Sequence, residues 1–520
     1  MATYELKDIQ PRDYQRSIAE TASKKNTLVV LPTGIGKTLI AILVGIRRLQ
    51  EFPSSKILIM APTRPLNAQH KKSFEQQTNI DPDKIILVTG KILPEERAGL
   101  YEKATVVVAT PQTIKNDVES GKLKLKDFSF AVFDEAHRTV KDYAYTVVAK
   151  RYKQQAENPL ILGLTASPGG SIEKISEIKN GLFIEAVEIR SEQDEDVQQY
   201  VKEIQKDFVY VDFPEEFKMM RGMLEDVLKD SVYWLKEHNI IQSYRPSKRQ
   251  LLAMQIHMST SYSHNRNNYG TLVVVLKLAE AIKLEHAIEL LETQGISSLH
   301  EYLHKLGSSK KNTDRKIMKD PRILDIYKRV QEMDLAGIDH PKADRLKALV
   351  RDLLKGDPKM KIIIFANYRT TVEKIRKQLE SIGVSAQEFI GQAKKRGKGM
   401  SQDEQVMMLN RFRGGEFNVL VSTSIGEEGL DVPSVDYAIF YEPVPSEIRS
   451  IQRRGRVGRQ TAGKIIFLIT KDTRDEAYFF AAINKEKRMK GILYGMQKRM
   501  SSGEKPARKP RKGNLEDFME

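Results

Sequence analysis

The octapeptide LPTGIGKT at residues 31–38 constrains the fold of this chain more than any other stretch. It follows the apolar run TLVV and precedes a helix-compatible apolar run that extends to Leu49. A strand, a glycine turn and a helix in this order are typical of a phosphate-binding loop, in which successive backbone N–H groups point at one anion. The general motif GxxxxGK[ST] would begin with glycine where this chain has Leu31, so only the GxGKT part matches.

This loop supplies the predicted contacts to ATP and Mg²⁺. Gly34 and Gly36 let the backbone curl, and Thr33 belongs to the same predicted nucleotide-binding set. The ammonium of Lys37 can reach the β- and γ-phosphates, and the Thr38 hydroxyl can ligate Mg²⁺. Because a lone GKT also arises by chance, the interpretation depends on whether the other parts of a nucleotide hydrolase follow.

A further predicted nucleotide contact lies ahead of the loop, in the stretch RDYQ. The amide of Gln15 offers both a donor and an acceptor, so it could read the edge of an adenine. An ordinary surface glutamine is the alternative. Arg12, at the start of the same stretch, is predicted to join Gln15 at the nucleotide.

An acidic pair, Asp134 and Glu135, comes directly after the apolar run FAVF. In phosphoryl transfer, Asp134 could hold Mg²⁺ through water, and Glu135 could orient and deprotonate the attacking water. Surface acidic pairs are common, but a pair after a buried-looking strand in a chain with GKT predicts catalytic carboxylates.

Two more predicted strands, at residues 57–61 and 106–109, end in loops that carry threonine beside proline. Hydroxyls and free N–H groups at strand ends suit contacts to nucleic-acid phosphates, so Thr63, Arg64 and Thr110 are predicted contacts. Simple turn chemistry is the alternative.

Five strands in all alternate with helices, which predicts an α/β domain over residues 1–190 with a parallel sheet and ligands at its carboxyl edge.

Strand signals stop in residues 191–336, where apolar residues recur at spacings of three and four. A segment of this length is too long for a loop, so it predicts an inserted helical domain. Arg245 and Arg249 are predicted nucleic-acid contacts because basic residues and tyrosines occur together in this segment. The solvated face of a helical bundle is the alternative.

Strand signals resume in residues 337–498, the predicted second α/β domain. Its predicted nucleic-acid contacts are Arg369, Gly391 and Thr423. In the stretch GEEGLD, Gly429 allows close backbone approach and Asp431 could accept a hydrogen bond from a ribose hydroxyl. A plain glycine turn between strand and helix is the alternative.

The sharpest basic cluster is QRRGRVGR, which contains Gln452, Arg456 and Arg459. The two arginines are three residues apart, so they can face one way on a helix. Such guanidiniums suit the charge that grows on a transferring phosphoryl group, and a generic nucleic-acid patch is the alternative.

Residues 499–520 are basic and contain prolines, which predicts a disordered tail.

Composition supports a polyanionic partner, because the net charge is +16 and the pI is about 9.4. The chain has no cysteine, which excludes disulfides and cysteine-ligated metals. We find neither a signal-peptide pattern at MATYELKD nor an uncharged apolar run of about 18 residues, so no membrane span is predicted. A cytoplasmic, DNA-associated protein is the expectation; the oligomeric state is open.

Taken in order, RDYQ, GIGKT, APTRPL, ATPQT, DEAH, TAS, STSIGEEGLDVP and QRRGRVGR resemble the motif series of superfamily 2 helicases. The helical insertion, with PTRPL and GEEGLDVP, is similar to archaeal Hef and eukaryotic FANCM, and more distantly to RNA-sensing helicases and Dicer. The resemblance implies two RecA-like domains that close on ATP around an inserted thumb-like helical domain.

The resemblance also implies roles for the motif residues. Lys37 and Thr38 would hold the phosphates and Mg²⁺, while Gln15 would face adenine. Asp134 and Glu135 would handle metal and water. The residues that would complete the site from the second domain are Gln452, Arg456 and Arg459. The residues that would track the nucleic-acid backbone are Thr63, Arg64, Thr110, Arg369 and Thr423.

The implied activity is that of a DEAH-type ATP hydrolase and DNA helicase, moving 3′ to 5′ on forked, branched and single-stranded DNA in repair and fork restart. Hef-type proteins usually continue into a nuclease domain with an ERK-centred motif, which we do not find before Glu520. A separate nuclease or a sliding clamp is an expected partner. An RNA helicase or double-stranded-RNA-sensing ATPase is one alternative, and an ATP-gated module that holds a junction for a nuclease is another.

Overall fold

The computed structural model describes residues 4–7, 9–140, 143–200, 205–264, 268–391, 399–423, 433, 435–442 and 463–502. The strands are Thr27–Val30 (β1), Lys56–Met60 (β2), Ile85–Val88 (β3), Val106–Ala109 (β4), Phe128–Asp134 (β5), Ile161–Thr165 (β6), Ala186–Ile189 (β7), Gln205–Val211 (β8), Ile362–Phe365 (β9), Ala386–Phe389 (β10), Val419–Ser422 (β11), Tyr437–Phe440 (β12) and Lys464–Thr470 (β13).

The helices alternate with the strands from the first helix to β8, and a run of seven helices lies between β8 and β9 in the described part of the chain, where the helical insertion is. They are Asp13–Lys24 (α1), Lys37–Glu51 (α2), Arg64–Gln77 (α3), Pro94–Lys103 (α4), Pro111–Glu119 (α5), Ala144–Gln155 (α6), Ile172–Gly181 (α7), Glu195–Gln198 (α8), Glu215–Glu237 (α9), Lys248–His264 (α10), Tyr269–Thr293 (α11), Ile296–Gly307 (α12), Asn312–Met318 (α13), Pro321–Leu335 (α14), Pro341–Gly356 (α15), Arg369–Glu380 (α16), Gln402–Gly414 (α17) and Arg474–Ser501 (α18).

The six described helices of the insertion are α9–α14, and the helix α15 follows them before β9. Their apolar faces share one core, formed by residues of α9, α10, α11, α12, α13 and α14. The prediction of a helical unit between two α/β units is therefore confirmed. Among the described residues, none of the helices combines the length and the apolar character that crossing a bilayer requires.

The first sheet contains seven parallel strands within the described residues, in the order β3-β4-β2-β5-β6-β1-β7. The sequence predicts the five inner strands and misses β3 and β7, which are the two edges. Inner strands such as β1 and β5 are buried along their whole length because helices cover both faces of the sheet. The edge strands include half-buried residues, so their apolar runs are shorter and give a weaker signal.

The second sheet contains six parallel strands within the described residues, in the order β10-β11-β9-β12-β13-β8. Strand β8 pairs with β13 along seven residues, although it lies inside the range 191–336 that the sequence analysis gives to the helical domain. That assignment is wrong for residues 205–211. Most side chains of β8 are exposed or half-buried, which is the pattern of an edge strand, and nothing local indicates which sheet it joins. The other domain boundaries stay predictions.

Buried polar side chains hold the helical unit against the second sheet. Gln294, just after α11, donates to Glu442 after β12 and accepts from Thr371 of α16. The other carboxyl oxygen of Glu442 accepts from the Asn367 backbone N–H at 2.6 Å. Burial raises the pKa of Glu442 to about 7. A buried, shared network of this kind favours movement of the two units as one body.

The last helix, α18, contacts the cores of both sheets. Near its start, Phe479 packs on Phe467 of β13, with ring centroids 5.3 Å apart. Further along, Met489 and Leu493 belong to the core of the first domain. The helix extends to Ser501, which is within the tail predicted from residue 499, and residues 503–520 of that tail lie outside the described residues.

Replacing Leu493 with alanine is expected to loosen α18 from the first domain. The side chain is fully buried, so its truncation should cost about 2–5 kcal/mol of stability. Urea denaturation measures the loss of stability, and the rate of proteolysis within α18 measures how far the helix has loosened. Lys498→Ala changes an exposed residue of the same helix and is the control. If both variants unfold at the wild-type urea concentration, this docking of α18 does not exist in solution.

Candidate active site

Two glycines with positive φ shape the loop ahead of α2. Gly34 has φ +87° and Gly36 has φ +86°, a backbone region that disfavours side chains. A Cβ on Gly36 would also lie 2.3 Å from Nε2 of Gln15. Helix α2 begins at Lys37, so its unpaired N–H groups lie at this loop. The positive φ angles of the loop therefore explain why both positions of the GxGKT pattern are glycine.

Lys37 lies within the curl of the loop. Its Nζ donates to the carbonyl oxygens of Leu31 at 3.0 Å and Pro32 at 3.2 Å. Thr38 follows in the first turn of α2. The Thr33 Oγ1 is buried and has no hydrogen-bond partner in the part of the chain that the structure describes. An ammonium, a helix N-terminus and an unpartnered hydroxyl are groups that fit a phosphate.

Gln15 packs against this loop and is not an ordinary surface residue, since it is 3% exposed. Its Oε1 accepts from the Arg12 backbone N–H at 2.9 Å, and its Nε2 donates to the Ile35 carbonyl at 3.3 Å. The Arg12 guanidinium lies over the Tyr200 ring, 4.6 Å from the centroid. The structure therefore brings Arg12 and Gln15 to the loop, and their contact with adenine stays a prediction.

Asp134 is the last residue of β5 and is buried. Its Oδ2 lies 2.8 Å from Nε2 of His70, and its Oδ1 accepts from the Glu135 N–H at 2.9 Å. Burial raises the pKa of Asp134, but the hydrogen bond and charge of His70 and the charge of Lys37 outweigh burial and lower the pKa below its usual value. The carboxylate is therefore ionised near neutral pH, the form that Mg²⁺ prefers.

Tyr145 of α6 holds the backbone at the same point. Its hydroxyl donates to the Asp134 carbonyl at 2.6 Å and lies 3.1 Å from the Met60 carbonyl at the end of β2. Burial raises the pKa of Tyr145 well above its usual value, so the hydroxyl keeps its proton. One phenol therefore joins the carboxyl ends of β2 and β5, which are neighbours in the sheet.

Glu135 has φ +51° and ψ +48°, a left-handed conformation that non-glycine residues rarely adopt. Its Oε2 lies 3.2 Å from Nδ1 of His137, which in turn lies 3.2 Å from Oγ1 of Thr165. The same Oγ1 accepts from the Ser167 N–H at 3.1 Å. These contacts connect the acidic pair to the TAS stretch at the end of β6. Strained backbone of this kind is common at functional sites.

The predicted nucleic-acid contacts of the first domain lie at the carboxyl ends of β2 and β4. Thr63 caps α3, with its hydroxyl accepting from the Leu66 N–H at 3.4 Å, and Arg64 is the first residue of that helix. Thr110 precedes α5, and its hydroxyl lies 2.8 Å from that of Thr113. Strands β2 and β4 are parallel neighbours, so the loops that follow them lie side by side at the carboxyl ends of the strands.

The predicted contacts of the second domain also lie at the carboxyl ends of neighbouring strands. Arg369 begins α16, and its guanidinium donates to the Gly391 carbonyl at 2.9 Å. Thr423 follows β11 and donates its N–H to the carbonyl of Phe389. These loops follow β9, β10 and β11, which are consecutive in the sheet. Three positions that are far apart in sequence are therefore neighbours.

Other predicted site residues are not in these clusters. Arg245 and Arg249 are exposed, in the turn before α10 and in its first turn. The predicted residues that lie outside the described part of the chain are Gly429, Asp431, Gln452, Arg456 and Arg459.

Sequence reasoning misses three side chains that contact the acidic pair or its backbone. His137 is the last residue of the DEAH tetrapeptide, so its position next to the acidic pair could have been predicted from the sequence. His70 follows Thr63 by two helical turns, and Tyr145 lies in the first turn of α6. Neither carries a local signal, because only the packing of α3 and α6 on the sheet brings them to β5.

Three family models match consecutive parts of the chain. A model described as DEAD/DEAH box helicase matches residues 12–175, and one described as Helicase conserved C-terminal domain matches residues 342–461. Between them, residues 216–335 match a model described as the helical bundle of a candidate ATP-dependent RNA helicase.

A crystal structure of the Pyrococcus furiosus Hef helicase domain is similar to this chain, with a TM-score of 0.72 and 46% identity. The alignment covers 91% of this chain and 98% of that one. A Methanocaldococcus jannaschii protein, named as a candidate ATP-dependent RNA helicase, is 45% identical over 94% of this chain and 61% of its own length.

The ATP-dependent DNA helicase MPH1 of Pyricularia oryzae is 34% identical over 93% of this chain and 46% of its own length. The chain thus spans less than two thirds of either curated relative. The Hef helicase domain, by contrast, is matched along nearly its whole length. This chain therefore belongs to the ATP-dependent helicases of superfamily 2, in the family that contains Hef, FANCM and MPH1.

Proposed function

We propose that the chain is an ATP-dependent DNA helicase or translocase that acts on forked or branched DNA. The observation that carries the proposal is the buried Asp134 carboxyl at the end of β5, flanked by Glu135, in the same domain as the glycine loop that positions Lys37 at the start of α2. Phosphoryl transfer needs a metal-holding carboxylate, a base and a phosphate-holding ammonium in one place. Similarity to MPH1, which is named a DNA helicase, supports DNA as the substrate.

The first domain would divide the chemistry of hydrolysis among five residues. Lys37 and the loop N–H groups would hold the phosphates, and Thr38 and Asp134 would hold Mg²⁺, the latter through water. Gln15 would contact the adenine. Glu135 would orient the attacking water and accept its proton. Magnesium, when bound, neutralises charge on the phosphates.

The second domain is proposed to complete the site when the two sheets close. A guanidinium from a second domain stabilises charge on the transferring group and makes hydrolysis depend on closure. The residues proposed for this part are Gln452, Arg456 and Arg459, with Gly429 and Asp431 at the ribose.

Nucleic acid would lie along the carboxyl edges of both sheets. Threonine hydroxyls, backbone N–H groups and guanidiniums at these edges suit phosphates and carry no sequence preference. Alternating grip by the two edges would convert each hydrolysis cycle into a step along one strand, in the 3′ to 5′ direction. The exposed Arg245 and Arg249 would let the helical unit contact the duplex arms of a fork.

An RNA substrate is the second candidate. The helical bundle matches a family model whose description names an RNA helicase, and the Methanocaldococcus relative carries a similar name. Backbone contacts at the sheet edges would serve either nucleic acid, because they do not depend on the 2′-hydroxyl.

Steady-state ATPase assays with matched DNA and RNA structures separate these candidates. Forked DNA is expected to raise kcat by about tenfold, and duplex RNA of the same sequence to raise it less. Single-stranded DNA and a four-way junction complete the panel, at one fixed salt concentration. Stimulation by RNA that equals or exceeds stimulation by forked DNA would assign the chain to RNA instead.

A strand-displacement assay tests the motor itself. Duplexes with a 3′ or a 5′ single-stranded tail are expected to unwind only with the 3′ tail. DNA-stimulated hydrolysis without displacement would instead support an ATP-gated module that holds a junction for a partner nuclease. A nuclease or a sliding clamp as partner stays a proposal that pull-down with purified candidates can test.

A further inference from the structure

One face of α3 connects the loop of predicted nucleic-acid contacts to the catalytic carboxylate. Thr63, Asn67 and His70 are spaced by four and three residues, so they lie on the same side of the helix. Asn67 is fully buried and fixes the loop before the helix. Its Nδ2 donates to the carbonyls of Ala61 at 2.7 Å and Thr63 at 2.9 Å, and its Oδ1 accepts from the Ala61 N–H at 3.1 Å.

His70 forms the other end of this connection. It is 3% exposed, and its Nε2 lies 2.8 Å from Oδ2 of Asp134. Its Nδ1 is buried without a hydrogen-bond partner among the described residues. The contact with Asp134 is therefore the polar contact that orients this imidazole within the described structure.

A second link runs parallel to the first, through Tyr145. Its hydroxyl contacts the carbonyls of Met60 and Asp134, one at each of the two strand ends. The loop at residues 61–63 begins where Met60 ends β2. Both the side chain and the backbone of Asp134 are thus tied to the segment that carries Thr63, and close-packed interiors transmit small displacements.

We propose that His70 is a positioning residue that couples nucleic-acid binding at Thr63 and Arg64 to the orientation of the Asp134 carboxylate. This inference rests on the proposed function and specifies how its ATPase is regulated. Phosphate contacts at the start of α3 move the helix as a unit, and His70 moves with it. The direction in which Oδ2 of Asp134 is held then changes, while Oδ1 keeps its bond to the Glu135 N–H.

Two amide substitutions separate this coupling from simple packing. In His70→Gln the amide nitrogen can take the place of Nε2 and keep the contact with Asp134. In His70→Asn the shorter side chain places its amide near the position of Nδ1 and leaves Asp134 unpaired. We expect the ratio of fork-stimulated to basal kcat to fall by about tenfold in His70→Asn and to stay within about twofold of wild type in His70→Gln.

The controls use the same helix and the same substrates. Gln69→Ala changes an exposed neighbour and is expected to keep the wild-type ratio. His70→Ser provides a second variant without the contact, and its small side chain leaves room for water, so the test survives if His70→Asn does not fold. Nucleotide titration measures ATP binding, which we expect to change less than kcat because the loop at Lys37 is untouched.

The possible outcomes distinguish the inference from the proposed function. A wild-type stimulation ratio in folded His70→Asn or His70→Ser would overturn the inference and leave the helicase proposal standing. Equal losses in His70→Gln and His70→Asn would reduce His70 to a packing role and would also overturn it. If no nucleic acid stimulates the wild-type ATPase, both the proposed function and the inference fail.

Discussion

Replacing Lys37 with alanine is expected to reduce ATP turnover by about 10²-fold or more while the chain still binds forked DNA. The ammonium is the cationic side chain of the glycine loop, and its removal leaves the phosphates without a charge partner at the start of α2. The candidate DNA contacts lie on other loops, so their affinity should stay near the wild-type value. Phosphate release with saturating fork measures turnover, and fluorescence anisotropy without nucleotide measures DNA binding.

Arg47→Ala is the matched control, because it removes an exposed positive charge from the same helix. It is expected to keep turnover, which shows that loss of charge on α2 is not the cause. Wild-type turnover in Lys37→Ala would refute the assignment of the loop. Loss of both turnover and DNA binding would show instead that the alanine disturbs the fold.

Replacing Glu135 with glutamine is expected to slow hydrolysis by about 10²–10⁴-fold and to leave ATP bound. The change removes the proton acceptor and keeps the size of the side chain. Asp134 retains its bonds to His70 and to the backbone of residue 135, so the metal-holding carboxylate stays in place. Single-turnover hydrolysis and titration with a fluorescent nucleotide measure the two effects separately.

Glu157→Gln makes the same chemical change at an exposed glutamate and should behave as wild type. Unchanged hydrolysis in Glu135→Gln would remove Glu135 from the role of base and would direct attention to another proton acceptor. A loss of ATP affinity equal to the loss of hydrolysis would point to a binding role for this carboxylate.

The parts of the fold that the sequence predicts are those with strong local signals. Runs such as VVVA and FAVF are apolar throughout because both faces of an inner strand are covered, and they predict β4 and β5. The edge strands β3, β7 and β8 lack this signal, since solvent reaches part of each. Strand β8 shows the limit most clearly, because its membership of the second sheet depends on pairing with a strand more than 250 residues away.

The candidate site divides in the same way. Gly36 and Lys37 are readable from sequence because the glycine conformation and the helix start are local. His70 and Tyr145 are not, because each contacts Asp134 across a long stretch of chain. Likewise, the pairing of Arg369 with Gly391 arises only when neighbouring strand ends meet.

The order of motifs along the chain was enough to determine the family, the two α/β units and the phosphate loop, since each depends on residues that are close in sequence. The tertiary structure alone decided which side chains surround Asp134, which sheet receives β8 and how α18 joins the two cores. Such contacts form between distant segments, and their partners are chosen by the packing of whole helices and sheets, which no local pattern records.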